Sequence, residues 1–97
     1  MAEERMISWI PKFKEELGLD EGFERAYKGV LQLDKHFLFN VDSRYPSYPA
    51  AIAYIACLHN NQKRTQEDVA KVANCSADAL RRRLKEIIKR NKVYVPP

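Results

Sequence analysis

A chain of 97 residues, 45% hydrophobic and 31% charged, can bury one core and is too short for two; barrels and doubly wound dinucleotide folds are excluded by length. The formal charge of +4 is unevenly placed: residues 1–42 carry 6 basic and 9 acidic side chains, residues 43–97 carry 11 and 4, so the halves stand at −3 and +7. Cys57, Cys75, His36 and His59 form no Cys-x-x-Cys pair and no zinc-ligand spacing, and the longest apolar run, residues 50–58, is too short to span a bilayer. With nothing at the N-terminus resembling a signal peptide, the expectation is an intracellular chain with reduced thiols, no metal and no cofactor.

Apolar residues recur at intervals of three and four and strand alternation is absent, so the spacing predicts five helices. The first covers about 9–17, with Pro11 in its opening turn and Gly18 as its stop. Asp20 caps the second, which places Phe23, Tyr27, Val30 and Leu31 on one face and runs to about His36. A crossing marked by Pro46 and Pro49 follows, and Pro49 can serve as the first residue of what comes next. The third helix, about 50–60, is apolar all round, which predicts a central position with neighbours on several sides. Thr65 caps a fourth helix over 66–73, Asn74-Cys75 makes a tight turn, and Ser76 caps a fifth over 77–90, ahead of an extended tail at 93–97. The expected fold class is all-α: a single domain over 1–97, a five-helix bundle ending in a helix-turn-helix at about 65–90.

The fifth predicted helix carries the chemistry. Leu80, Leu84, Ile87 and Ile88 form its apolar stripe; Asp78, Arg82, Lys85 and Lys89 fall roughly opposite, with Arg81, Arg83 and Arg90 on the flanks. Seven of the fourteen residues from 79 to 92 are Arg or Lys against one acid, Glu86, so the helix is anchored on one side and cationic on the other, as suits a phosphate backbone. Val69, Ala70 and Ala73 let the preceding helix cross it closely. Helix-turn-helix geometry then puts Ala77, Asp78, Arg81 and Arg82 at base edges in a major groove, and Lys63, Arg64 and Lys85 at phosphates, with Lys89 further along the basic face. Arginine forks to guanine; an aspartate accepts only from a cytosine amino group and repels phosphate, so Asp78 is either a specificity element or a sign that this end stays out of the groove. The paired carboxylates at Glu3-Glu4, Glu15-Glu16, Asp20-Glu21 and Glu67-Asp68 sit at helix starts or on polar faces, and no phosphate loop or nucleophile–histidine arrangement is present, so no enzyme is expected.

Three segments carry a resemblance. Residues 9–19 (WIPKFKEELGL), the Ala-rich 50–56 (AAIAYIA) and 63–70 (KRTQEDVA) together resemble the second cyclin-like repeat of transcription factor IIB and its archaeal counterpart, transcription factor B, over about residues 7–97, and 91–96 (NKVYVP) resembles the archaeal C-terminal tail. The resemblance implies a five-helix cyclin-like fold and a non-catalytic role: binding the complex of TATA-binding protein with promoter DNA and reading an element just upstream of the TATA box. Arg81 matches the family's arginine in the recognition helix; Asp78 stands where the family usually has valine, and residues 43–46 (SRYP) replace its Gly-basic-Ser-Pro lead-in. A zinc ribbon, a reader segment and a first repeat are not in the chain, so contact with RNA polymerase is expected only through parts outside it. The chain is expected to be either a C-terminal fragment or a protein with a single repeat, cytoplasmic in an archaeon or nuclear in a eukaryote, with no membrane partner. Two rival readings stay open: a cyclin-like protein-interaction module without DNA contact, and an unrelated helix-turn-helix regulator.

Overall fold

The computed structural model describes residues 2–34 and 45–91, and every regular element among them is helical. In chain order these are α1 (Ala2–Ile7), α2 (Ile10–Leu17), α3 (Glu21–Leu33), α4 (Ser47–His59), α5 (Gln66–Ala73) and α6 (Ala77–Asn91). The five predicted helices are present as α2 to α6, and α1 is an addition. It is held through Met6, whose side chain is fully buried and whose carbonyl accepts a 2.7 Å hydrogen bond from the buried Tyr27 hydroxyl.

Local chemistry explains most boundaries. Gly18 ends α2 at φ +63°, a left-handed conformation natural to glycine, and its N–H closes onto the Lys14 carbonyl. Asp20 caps α3 by accepting from the Gly22 N–H at 2.9 Å. A Cβ on Gly22 would collide with the Asn60 side chain, so glycine is what lets the start of α3 approach the end of α4. The second predicted helix is described only to Leu33; His36, the segment 35–44 and the tail 92–97 lie outside the described residues.

The central helix starts at Ser47, three residues ahead of the predicted Ala50. Pro46 occupies the cap position, and Pro49 falls in the first turn, where a backbone N–H has no intrahelical acceptor, so neither proline interrupts the helix. Every residue of α4 from Ser47 to Cys57 is buried, and the helix packs against α3, α5 and α6. Phe13 of α2 packs with Phe23 and Tyr27 of α3, and Trp9 stacks beside Phe13 with centroids 5.7 Å apart. Each fully buried phenylalanine contributes about 1.5–3 kcal/mol by leaving water.

At one end of the bundle, Asp34 is buried with its side chain wholly covered. Arg90 of α6 forks onto it, Nε donating to Oδ1 at 2.8 Å and Nη2 to Oδ2 at 2.7 Å. Asn91 Nδ2 and the buried Tyr48 hydroxyl donate to the same carboxylate. Burial pushes the Asp34 carboxyl up, but the hydrogen bonds from Arg90, Tyr48 and Asn91 and the Arg90 charge together hold it below its ordinary value. This cluster ties the C-terminal end of α6 to α3 and α4. Both cysteines are free, and burial raises the Cys57 thiol to about 11. Among the described residues no helix is long and apolar enough to cross a membrane, and no three metal-ligating side chains cluster.

Candidate nucleic-acid interface

The α5–α6 pair is set by three polar residues. Thr65 Oγ1 accepts from the Asp68 N–H at 3.1 Å and opens α5. Asn74 closes that helix at φ +58°, a conformation that asparagine tolerates better than most residues, and the Cys75 N–H returns to the Ala70 carbonyl at 3.0 Å. Ser76 Oγ accepts from the Ala79 N–H at 3.1 Å and opens α6. Beneath this turn Val69, Ala70, Ala73 and Leu80 are buried, so α5 presents small side chains where it meets α6. Leu84 and Ile87 continue the buried stripe of α6, while Ile88 is half-buried at its edge.

Opposite that stripe, Arg82, Lys85 and Lys89 are exposed. Their spacing of three and four residues puts them in one row about 10 Å long on the helix surface. None of the three makes an ion pair or side-chain hydrogen bond with another described residue, so among the described residues their charges are left to solvent. The flanking arginines are spent differently. Arg83 pairs with Glu86 at 3.1 Å and lies over the Tyr45 ring at 5.6 Å; Arg90 belongs to the Asp34 cluster.

Arg81 occupies the first turns of α6 beside the helix crossing, its side chain 41% exposed. Its Nε donates to Gln66 Oε1 at 2.7 Å, its Nη1 to Asp78 Oδ1 at 2.5 Å, and its Nη2 lies 3.7 Å from Glu67 Oε1. Two helices thus fix the guanidinium plane. The sequence pattern reads Glu67 only as a helix-start acid and gives Gln66 no contact with Arg81; the three-residue spacing of Asp78 and Arg81 on one helix is the only part of this arrangement written locally.

The remaining two expected residues separate. Lys63 is exposed. Arg64 turns inward instead: Nε donates to the Leu17 carbonyl at 2.9 Å, and the guanidinium also reaches the carbonyls of Gly18, Gln62 and Lys63. Those bonds serve the exposed carbonyl end of α2, which a cation also favours through the helix dipole. Beside it, a cleft lined by Glu16, Leu17, Arg64, Asp68, Lys71 and Val72 sets two acids against two bases and so presents no single sign of charge.

The family model of the transcription factor TFIIB repeat matches residues 6–90, which takes in all of α2 to α5 and nearly all of α6. The chain belongs to the TFIIB repeat family. The family is one of transcription factors, not of enzymes, and its cyclin-like all-helical fold is the one observed. A transcription initiation factor IIB of Pyrococcus furiosus is 37% identical over 90 residues, covering 91% of this chain and 29% of that protein. Transcription initiation factor IIB 1 of Thermococcus kodakarensis is 33% identical over 88 residues, with the same coverage of 91% and 29%. Transcription initiation factor IIB 2 of Haloferax volcanii is 34% identical over 80 residues, covering 82% and 24%. The chain spans less than a third of the length of these TFIIB relatives.

Proposed function

We propose that the chain is a DNA-binding repeat of a general transcription initiation factor, the second cyclin-like repeat in kind, forming one domain over its whole length. In this reading α5 and α6 act as a helix-turn-helix. The chain binds the complex of TATA-binding protein with promoter DNA and reads sequence upstream of the TATA box. The observation that carries it is the exposed row of Arg82, Lys85 and Lys89, displayed on the helix that follows the tight turn. In a docked complex the first turns of α6 bring Asp78 and Arg81 to base edges, with Arg82 beside them. Lys85, Lys89 and Lys63 take phosphates, which position the helix without reading sequence. Arg64 is supported least as a phosphate contact, because its donors already serve backbone carbonyls.

The rival in which α4 and its grooves bind a protein partner finds less support, since α4 is enclosed by the bundle from Ser47 to Cys57. A mobility-shift titration on a TATA-containing duplex with TATA-binding protein tests the DNA reading. Added chain is expected to retard the complex further, and Lys85→Ala to weaken that step about equally on every upstream sequence. Absence of any further retardation by the wild-type chain overturns the reading and favours a protein partner.

A further inference from the structure

Asp78 is an acid on a cationic surface, and its surroundings show what it does there. Its side chain is 81% exposed, so an ion pair with Arg81 adds little stability on its own. What the pair fixes is orientation. Gln66 accepts from Nε of Arg81, Asp78 accepts one hydrogen of Nη1, and Glu67 lies 3.7 Å from Nη2, so the two terminal nitrogens, with four hydrogens between them, keep donors to offer. The second oxygen of Asp78, Oδ2, accepts from no described residue. The exposed first turns of α6 therefore carry guanidinium donors directly beside a carboxylate acceptor.

The major-groove edge complementary to a guanidinium fork beside a carboxylate presents two acceptors beside one donor. Guanine offers O6 and N7, and its paired cytosine offers the N4 amino group. An A·T pair sets the thymine O4 acceptor and methyl where the carboxylate would stand, and leaves Asp78 desolvated against an acceptor. The carboxylate repels phosphate on any sequence, and only a cytosine amino group offsets that cost, so the same residue disfavours unmatched DNA.

Resting on the DNA-binding reading above, we propose that Asp78 and Arg81 act as one unit that selects a guanine–cytosine pair in the upstream element, with Asp78 as the specificity-determining residue. Gln66 and Glu67 are positioning residues that hold Arg81 for it. Asp78 lowers affinity for DNA in general and raises discrimination.

The test is selection from a pool of duplexes randomised upstream of a TATA box, in low salt with TATA-binding protein present. Fluorescence anisotropy titrations on the selected duplex and on its G·C-to-A·T derivative follow. The wild-type chain is expected to prefer the G·C duplex by roughly 5- to 150-fold, the range for one well-made base contact. Asp78→Ala is expected to bind both duplexes more tightly while that ratio falls several-fold. Asp78→Asn, which can fork to adenine, is expected to move the selected position toward A·T. Circular dichroism melts are to check that the exposed substitutions leave the fold intact. A wild-type preference retained in Asp78→Ala, or a wild-type chain with no preference at this position, overturns the proposal while leaving DNA binding in place. Retention of no duplex by any form overturns the DNA-binding reading as well.

Discussion

Replacing Asp34 with alanine removes one buried carboxylate that accepts from Arg90 twice, from Asn91 and from Tyr48. Tyr48 is fully buried, so its hydroxyl loses its partner where water does not reach. Removing one member of a buried charge pair costs about 3–5 kcal/mol. A domain of this size has about 5–15 kcal/mol in total, so the variant should retain at best about four-fifths of its stability and, at the low end of that range, almost none. Urea unfolding followed by circular dichroism measures this: with a slope of about 1–3 kcal/mol/M, the midpoint should fall by one to several molar at unchanged slope. The pH dependence checks the cause. The folded Asp34 carboxyl is held below its unfolded value, so its stabilisation is fully present above about pH 4, the unfolded range, and is lost as pH falls through the lower folded value. Asp34→Asn lacks this component, and its deficit relative to the wild type should shrink below about pH 4. A loss under about 1 kcal/mol at neutral pH, or a deficit independent of pH down to acid, would refute the role given to this cluster.

Three further outcomes follow from single residues. Asn74→Ala should cost about 1 kcal/mol, because a Cβ-bearing residue without a local polar group resists the left-handed conformation at φ +58°; Asn74→Gly should be neutral or better in the same thermal melts. Cys57, buried with its thiol raised to about 11, should react with a disulfide reagent at pH 8 only as fast as the protein opens, whereas the half-buried Cys75 should react sooner. Arg64→Ala should lose about 1.5–3 kcal/mol through the freed carbonyls at the end of α2, with little change in the salt dependence of DNA binding; a reduced salt slope with intact stability would restore Arg64 to the phosphate contacts.

The helices legible in the sequence are those whose ends carry a chemical mark. Asp20, Thr65 and Ser76 each precede a period of three and four and each makes the expected cap, so α3, α5 and α6 start where the spacing predicts. The start of α4 was hidden because a proline in a first turn reads as an interruption when it is only a missing donor. No Ser, Thr, Asp or Asn stands ahead of α1 in the sequence to mark its start, and the Tyr27 hydroxyl that anchors the helix is twenty-one positions from Met6. The site divides in the same way. The exposed row of Arg82, Lys85 and Lys89 follows from helical periodicity alone. The destinations of Arg64, Arg81 and Arg90 depend on contacts with Leu17, Gln66 and Asp34, fixed only when the bundle closes.

The most direct test of α6 as a nucleic-acid interface is the salt dependence of binding to promoter DNA in the presence of TATA-binding protein. Wild type is to be compared with a variant carrying Arg82→Ala, Lys85→Ala and Lys89→Ala. Each phosphate contact contributes about 0.9 to the slope of log affinity against log salt, so the slope should fall by up to about 2.7, with Arg82 contributing less if it sits at a base edge. An unchanged slope and affinity in the folded variant would contradict the assignment of this face to DNA.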